Sequence, residues 1–213
     1  MPYNMRPMQP EDIAQVIEID REAFPTIWPP TDYSRELKNP LACCLVTIDD
    51  QKAAPEPRVP PVPESGLSRL ISRFQRLFKG NRFPSAEPPH SDSHYIVGFA
   101  SMWVITDEGH VTNIAVREPY RRQGIGELML LAVIDKAREY KANVVTLEVR
   151  ASNTAAQRLY RKYGFNQVGL RRGYYMDNKE DAVLMTTEDI NSAPFQSRIQ
   201  QLKQALSTKL EIT

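Results

Sequence analysis

The stretch "HVTNIAVREPYRRQGIGELMLLAVIDKARE", residues 110–139, decides how this chain folds. Its opening is rich in β-branched and apolar residues and predicts a strand, while its second half has the apolar periodicity of a helix. The predicted helix opens on two arginines, a glutamine and two glycines, and no Ser, Thr or Asp caps it. Positive charge at a helix N-terminus is unfavourable by itself, but glycines leave backbone N–H groups open to close approach. This strand–loop–helix unit therefore predicts a site for an anionic ligand.

The composition of the chain is that of an ordinary globular protein. Of its 213 residues, 41% are hydrophobic and 25% are charged, and the formal net charge is +1. The whole molecule thus has no strong electrostatic preference for nucleic acid or membrane. The N-terminus lacks the apolar core of a signal peptide, and no apolar run approaches the ~18 residues of a membrane span. We expect a cytoplasmic protein without a transmembrane segment.

Two cysteines, Cys43 and Cys44, are adjacent in a predicted strand. Neighbouring side chains of a strand point to opposite faces, so a disulfide between them is not expected. With three histidines in the chain, no spacing typical of a metal site is found. We expect reduced thiols and no metal.

The alternation of strand and helix patterns predicts one α/β domain over residues 1–190, interrupted at 51–93. Eight of the 17 prolines lie in this insertion, which therefore suits a linker better than a sheet. Its segment 67–82 is basic and has helical apolar spacing. The favoured interpretation is a helix packed on the domain, or a disordered segment with occasional helix, and the alternatives are contact with RNA or with an anionic membrane surface. Residues 191–213 predict a C-terminal helical extension.

The loop at residues 121–126, here called the glycine loop, differs from two well-known phosphate-binding loops. A dinucleotide fingerprint needs glycine where Met129 stands, and a P-loop needs Gly-Lys-Ser/Thr, whereas Ile125 follows Gly124. The remaining match, Arg121-x-x-Gly124-x-Gly126, resembles the pyrophosphate loop of the GNAT acetyltransferases, which bind acetyl-CoA. A basic helix start with a flexible joint is the alternative interpretation.

A longer part of the chain, residues 95–186, resembles a GNAT core, in particular that of the ribosomal-protein-alanine N-acetyltransferases of the RimI type. The matching pieces occur in the family's order and spacing: "NIAV", "RRQGIG", "LEVRASN", "A-x-x-LY", "YGF" and "RRGYY". The resemblance implies the α/β GNAT fold, a mixed β-sheet split into a V between the "NIAV" and "TLEV" strands, with helices on both faces. It also implies direct acetyl transfer from acetyl-CoA to the N-terminal alanine, or a similar small residue, of a small-subunit ribosomal protein.

The resemblance assigns two catalytic residues. Glu148, in the middle of a strand, would be the general base, and Tyr160 on the following helix would be the general acid that protonates the departing thiolate. The alternatives are a solvated Thr-Glu-Arg strip for Glu148 and a core tyrosine for Tyr160.

The resemblance also assigns contacts to the cofactor and the acceptor. Asn153, which is placed to cap a helix as well, would bind the pantetheine arm. The other cofactor residues lie along the pantetheine and around the pyrophosphate: Ile114, Ala115, Val116, Arg121, Arg122, Gln123, Gly124, Ile125, Gly126 and Glu127. The acceptor residues are Trp28, Tyr174 and Tyr175. The stretch "FPTIWPP" around Trp28 departs from the family's commoner sequence, and the alternative for the two tyrosines is a hairpin that only packs.

Two other functions share part of this machinery. A GNAT enzyme acting on lysine side chains or small amines would have the same cofactor site, and a non-catalytic adaptor would bind acetyl-CoA without turnover. The acceptor distinguishes the lysine or small-amine enzyme from the predicted one. A lysine amine has a pKa of ~10.4 and an α-amine a pKa of ~8, so the lysine demands more of the catalytic base. The presence of both Glu148 and Tyr160 argues against the second.

Overall fold

The computed structural model describes residues 3–26, 31–53 and 94–212. Trp28 and most of the insertion, including the basic segment 67–82, lie outside these ranges. Within them, no helix is long and apolar enough to cross a membrane. The elements in chain order are β1 (Tyr3–Pro7), a 3-10 turn (Pro10–Asp12), α1 (Ile13–Ala23), α2 (Tyr33–Glu36), β2 (Ala42–Ala53), β3 (His94–Ile105), β4 (Glu108–Val116), a second 3-10 turn (Glu118–Tyr120), α3 (Ile125–Glu139), β5 (Val144–Arg150), α4 (Thr154–Lys162), β6 (Phe165–Tyr175), β7 (Glu180–Thr187) and α5 (Ala193–Ile212).

The seven strands form one mixed sheet in the order β1-β2-β3-β4-β5-β7-β6. Only β4 and β5 are parallel neighbours, and their ladder runs from the pair Glu108–Val144 to the pair Val111–Leu147. Beyond it, the end of β4 pairs with β3 alone. The sheet is therefore split at its middle, which confirms the predicted V between these two strands.

Both faces of the sheet are covered, because alternate side chains of the central strands point into two separate cores. On β2, Cys43 and Leu45 belong to one core, and Cys44, Val46 and Ile48 belong to the other. Helices α1 and α2 pack on the second core, while α3, α4 and α5 pack on the first. The two free cysteines therefore lie on opposite faces, as predicted.

Helix α5 packs on the same core as α3. Its buried apolar side chains follow helical spacing: Phe195, Ile199, Leu206 and Leu210. Lys203 Nζ also lies 2.7 Å from each carboxylate oxygen of Asp135 on α3. The predicted C-terminal helix is thus an integral part of the folded domain.

Candidate active site

The loop before α3 contains two residues with left-handed backbone. Arg122 has a φ of 67° and Gly124, the N-cap of α3, a φ of 91°. Glycine adopts this conformation without the steric cost that a Cβ brings. Because α3 begins only at Ile125, Arg121 and Arg122 lie in the loop and not in the first helical turn. The first N–H groups of a helix have no partner within the helix, and among the described residues no side chain caps those of α3.

A cavity of about 500 Å³ opens at this loop. A Cβ added at Gly126 would find only Leu159 Cδ2 within 4 Å, at 3.8 Å, so the backbone there is open to the cavity that it lines. The charged side chains of the wall are five cations and one carboxylate: Arg121, Arg122, Arg158, Lys162, Lys209 and Glu127. An uncapped helix start beside an excess of positive charge is suited to phosphate groups.

Two residues predicted for the loop have side chains engaged elsewhere. Gln123 Oε1 accepts a hydrogen bond from the Tyr3 hydroxyl at 2.6 Å, and its amide donates to the Pro119 carbonyl at 3.0 Å. The Ile125 side chain is buried in the core. Any contact that these two residues make with a ligand would therefore come from their backbone.

The split exposes one backbone edge of β4. Ile114, Ala115 and Val116 pair with β3 on one side, and the ladder to β5 has already ended at Val111. An edge of this kind can hydrogen-bond an extended ligand in the way that a strand would. Across the split, Asn153 Oδ1 accepts a hydrogen bond from the Ala156 N–H at 3.1 Å and caps α4, which confirms the capping role.

Glu148 is the first residue of β5 beyond the ladder. Its side chain is 7% exposed, with Oε2 3.2 Å from His110 Nε2 and Oε1 2.9 Å from Arg171 Nη1. The Arg171 contact lacks hydrogen-bond geometry, so Oε1 accepts no hydrogen bond from the described residues. This burial contradicts a solvated strip. An enclosed carboxylate with an oxygen that accepts no hydrogen bond can still accept a proton from a ligand, and Arg171 lies beside that oxygen as an ion-pair partner.

His110 is a residue of this site that the sequence did not indicate. Its Nδ1 lies 3.0 Å from Thr146 Oγ1, and that hydroxyl donates to Glu108 Oε1 at 2.5 Å. Because Thr146 has a single O–H, it accepts from His110, and Nδ1 carries hydrogen. The other ring nitrogen then faces Glu148, and a proton can be shared between the two. Glu108 is 46% exposed, so this chain of contacts leads from the enclosed carboxylate to solvent.

Tyr160 combines a packed ring with a protonated hydroxyl. Its ring contacts Phe165, with centroids 5.7 Å apart. Burial, with a smaller effect of Tyr175, raises the pKa of Tyr160 to about 12. The packing agrees with the core-tyrosine interpretation, and the retained proton agrees with the general-acid interpretation.

Tyr175 interacts electrostatically with both predicted catalytic residues, Glu148 and Tyr160. Burial raises its pKa to about 12, against the lowering effect of Arg150, whose guanidinium stacks 3.9 Å from the ring centroid. Tyr174 contacts Tyr175 edge to face with centroids 5.2 Å apart, and is 43% exposed. The pair thus offers a partly exposed aromatic surface close to Glu148.

The loop after α1, predicted to flank the acceptor, contacts the turn that follows the predicted acceptor residues Tyr174 and Tyr175. Thr26, after α1, donates to Asp177 Oδ2 at 2.8 Å, and Arg150 Nη2 lies 2.9 Å from the same oxygen. Asp177 belongs to the turn between β6 and β7. The loop after α1 and this turn therefore meet at the end of β5, near Tyr175.

Comparison with known proteins agrees with this geometry. The profile of the acetyltransferase (GNAT) family matches residues 64–165. The chain is 30% identical over 182 residues to a putative [ribosomal protein bS18]-alanine N-acetyltransferase of Bacillus subtilis (strain 168), covering 85% of this chain and 92% of the relative. It is 34% identical over 186 residues to an N-alpha-acetyltransferase of Sulfurisphaera tokodaii, covering 86% of this chain and 91% of that protein.

A solved structure shows the same fold. Arabidopsis thaliana NAA60 in complex with acetyl-CoA has a TM-score of 0.62 at 19% identity, covering 89% of this chain and 99% of that chain. The split sheet, the glycine loop and similarity over most of the chain lead to one conclusion: this chain belongs to the GNAT family of acetyltransferases and is an acyltransferase.

Proposed function

We propose that this chain transfers an acetyl group from acetyl-CoA to the N-terminal α-amine of a protein, with alanine or a similar small first residue and a small-subunit ribosomal protein as the expected acceptor. The observation that carries the proposal is the enclosed carboxylate of Glu148, whose Oε1 accepts no hydrogen bond from the described residues, at the point where the sheet splits. The Bacillus relative is named for the alanine of ribosomal protein bS18, and the archaeal one for α-amines. Both names support the acceptor class.

The residues of the site fit acetyl-CoA. The cationic cavity at the start of α3 would hold the diphosphate, because uncapped N–H groups and an excess of cations meet there. The open edge of β4 at residues 114–116 and Asn153 would hold the pantetheine arm. When bound, acetyl-CoA supplies a thioester carbonyl as the acyl donor. A backbone N–H of this edge would stabilise the negative charge that develops on the carbonyl oxygen.

Glu148 removes the proton that the acceptor must lose. An α-amine has a pKa of ~8, so near neutral pH most of it is protonated and cannot attack. Oε1 of Glu148 accepts this proton, directly or through one water molecule. His110, Thr146 and Glu108 then provide its route to solvent. The freed electron pair of the amine forms the new C–N bond while the C–S bond breaks and its electron pair leaves with sulfur. The nitrogen then loses a second proton to become the amide, and this proton replaces the one that Tyr160 gives to sulfur.

Tyr160 protonates the leaving group, the thiolate of CoA. Since its pKa is raised to about 12 by burial, its hydroxyl still carries a proton throughout the neutral range. It donates a hydrogen bond and then the proton to sulfur as negative charge develops there. The burial that holds the proton on the phenol also makes a thiolate in the same surroundings more basic, which favours the transfer.

Mass spectrometry of the purified protein with acetyl-CoA and a mixed peptide set tests this function. The set contains peptides with free Ala, Ser, Met and Gly N-termini and N-blocked peptides with an internal lysine. We expect acetyl on free N-termini only, with alanine foremost, and much slower transfer by Glu148→Gln. Acetyl on lysine alone would overturn the acceptor class, and bound acetyl-CoA without any transfer would favour the adaptor.

A further inference from the structure

The last turns of α5 lie directly beneath the glycine loop. A Cβ added at Gly124 would stand 3.1 Å from Leu206 Cδ1 and 3.3 Å from Leu210 Cδ2. Both leucines are buried. The C-terminal helix therefore supports the turn that starts α3.

The same end of α5 brings a cation to the cavity. Lys209 lines it, with Nζ 3.8 Å from Glu127 Oε1. The other oxygen of Glu127 is held by Lys162 of α4 and by the Tyr163 hydroxyl, the latter at 2.7 Å. The carboxylate of Glu127 thus pairs with lysines from two helices at the wall of the cavity. Burial alone would raise the pKa of Glu127, but hydrogen bonds from Lys162 and Tyr163 outweigh this effect and lower it.

Contacts along the length of α5 fix the position of the backbone at Lys209. The pair Lys203–Asp135 ties the middle of the helix to α3, and buried Phe195 ties its start to the core. The side chain of Lys209 is 55% exposed, so its ammonium group can turn from Glu127 toward a ligand in the cavity.

We propose that α5 completes the donor site, with Lys209 supplying positive charge to the phosphates of the CoA moiety and Leu206 and Leu210 supporting the glycine turn. This proposal rests on the proposed function, in which acetyl-CoA is the donor. The cavity favours a phosphate group as its ligand, because cations from the loop, from α4 and from α5 line it. The C-terminal helix then acts in binding as well as in folding.

Titration calorimetry of the full chain tests the proposal with acetyl-CoA at two salt concentrations. We expect Lys209→Gln to raise the Kd for acetyl-CoA about three- to tenfold, to flatten its salt dependence, and to leave the melting temperature unchanged. Lys209→Arg, which keeps the charge, should bind acetyl-CoA like the unaltered chain. Lys136→Gln is the control for the loss of one positive charge, since Lys136 pairs with Glu139 within α3 and is not among the residues that line this cavity.

Phosphate-free pantetheine, measured by its displacement of acetyl-CoA, separates charge from structure. We expect its binding to be equal in the unaltered chain and in Lys209→Gln. Equal weakening of pantetheine and acetyl-CoA, or an unchanged Kd for acetyl-CoA in Lys209→Gln, would overturn the role of Lys209 while leaving the proposed function intact. Failure of the unaltered chain to bind acetyl-CoA would overturn both.

Discussion

His110 Nε2 and Glu148 Oε2 lie 3.2 Å apart on two parallel strands, just where the ladder between those strands ends. The histidine is held by Thr146, and the carboxylate is enclosed. At this distance a proton can pass directly between the two side chains. The first two predictions concern this pair.

Replacing Glu148 by glutamine keeps the size of the side chain and removes the base. We expect kcat for peptide acetylation to fall about 10²- to 10⁴-fold, with the Kd for acetyl-CoA unchanged. A steady-state assay and calorimetry measure the two constants. Glu139→Gln, an exposed glutamate at the end of α3, is the control and should keep full activity. A Glu148→Gln variant with the kcat of the unaltered chain would exclude Glu148 as the base.

Replacing His110 by asparagine breaks the route from Glu148 to solvent. We expect kcat to fall about tenfold or more, since one part of the acid–base machinery is lost. The acid limb of the pH–rate profile should also move, because Glu148 can no longer pass its proton to His110. The profile of kcat against pH measures both effects. Lower activity with an unmoved limb would assign His110 a purely structural role.

Tyr160→Phe removes one hydroxyl and keeps the ring that packs on Phe165. We expect kcat to fall about 10²-fold because the leaving thiolate loses its proton donor, while the melting temperature stays the same. Tyr140→Phe, at a tyrosine that is largely exposed, is the matched control. If both variants turned over peptide equally fast, Tyr160 would be a core residue only.

Tyr33→Phe is expected to destabilise the fold. The Tyr33 hydroxyl donates to Asp20 Oδ1 at 2.8 Å, and both residues are buried between α1, α2 and the sheet. Burial raises the pKa of Asp20, and loss of the hydrogen bond would leave the carboxyl without this donor. We expect a loss of about 1–3 kcal/mol in the free energy of unfolding, measured with urea. A change within error would show that Asp20 finds another donor.

Glu180 predicts a pH dependence of stability. Hydrogen bonds from Ser152, and then from Asn178 and Arg150, lower its pKa to about 2. A carboxylate with a lowered pKa stabilises the fold fully above its unfolded value of ~4.3, and this contribution is lost as the pH falls toward 2. The melting temperature of Glu180→Gln should therefore lie below that of the unaltered chain at neutral pH, and the gap should close in acid. A gap that is independent of pH would contradict this account.

Local patterns were sufficient to predict much of the fold. The strand stretch "ACCLVTI", residues 42–48, is apolar except for Thr47 because it faces a core on each side, and the periodicity of residues 195–206 predicted α5. The arginines of the glycine loop were expected to open α3, but the helix begins after them, because the left-handed Gly124 ends the loop. A helix boundary of this kind depends on backbone angles that residue types restrict only in part.

The anion loop was predicted from glycine placement, which acts over a few residues, and the catalytic candidates Glu148 and Tyr160 were predicted from the resemblance of quoted sequence motifs to the GNAT family. The pairing of His110 with Glu148 was decided by the register of two parallel strands that lie far apart in the chain. The contact of Lys209 with the loop was likewise decided by how α5 packs on α3. Register and packing depend on contacts between distant segments, which no local pattern contains, so these parts of the site came from the tertiary structure alone.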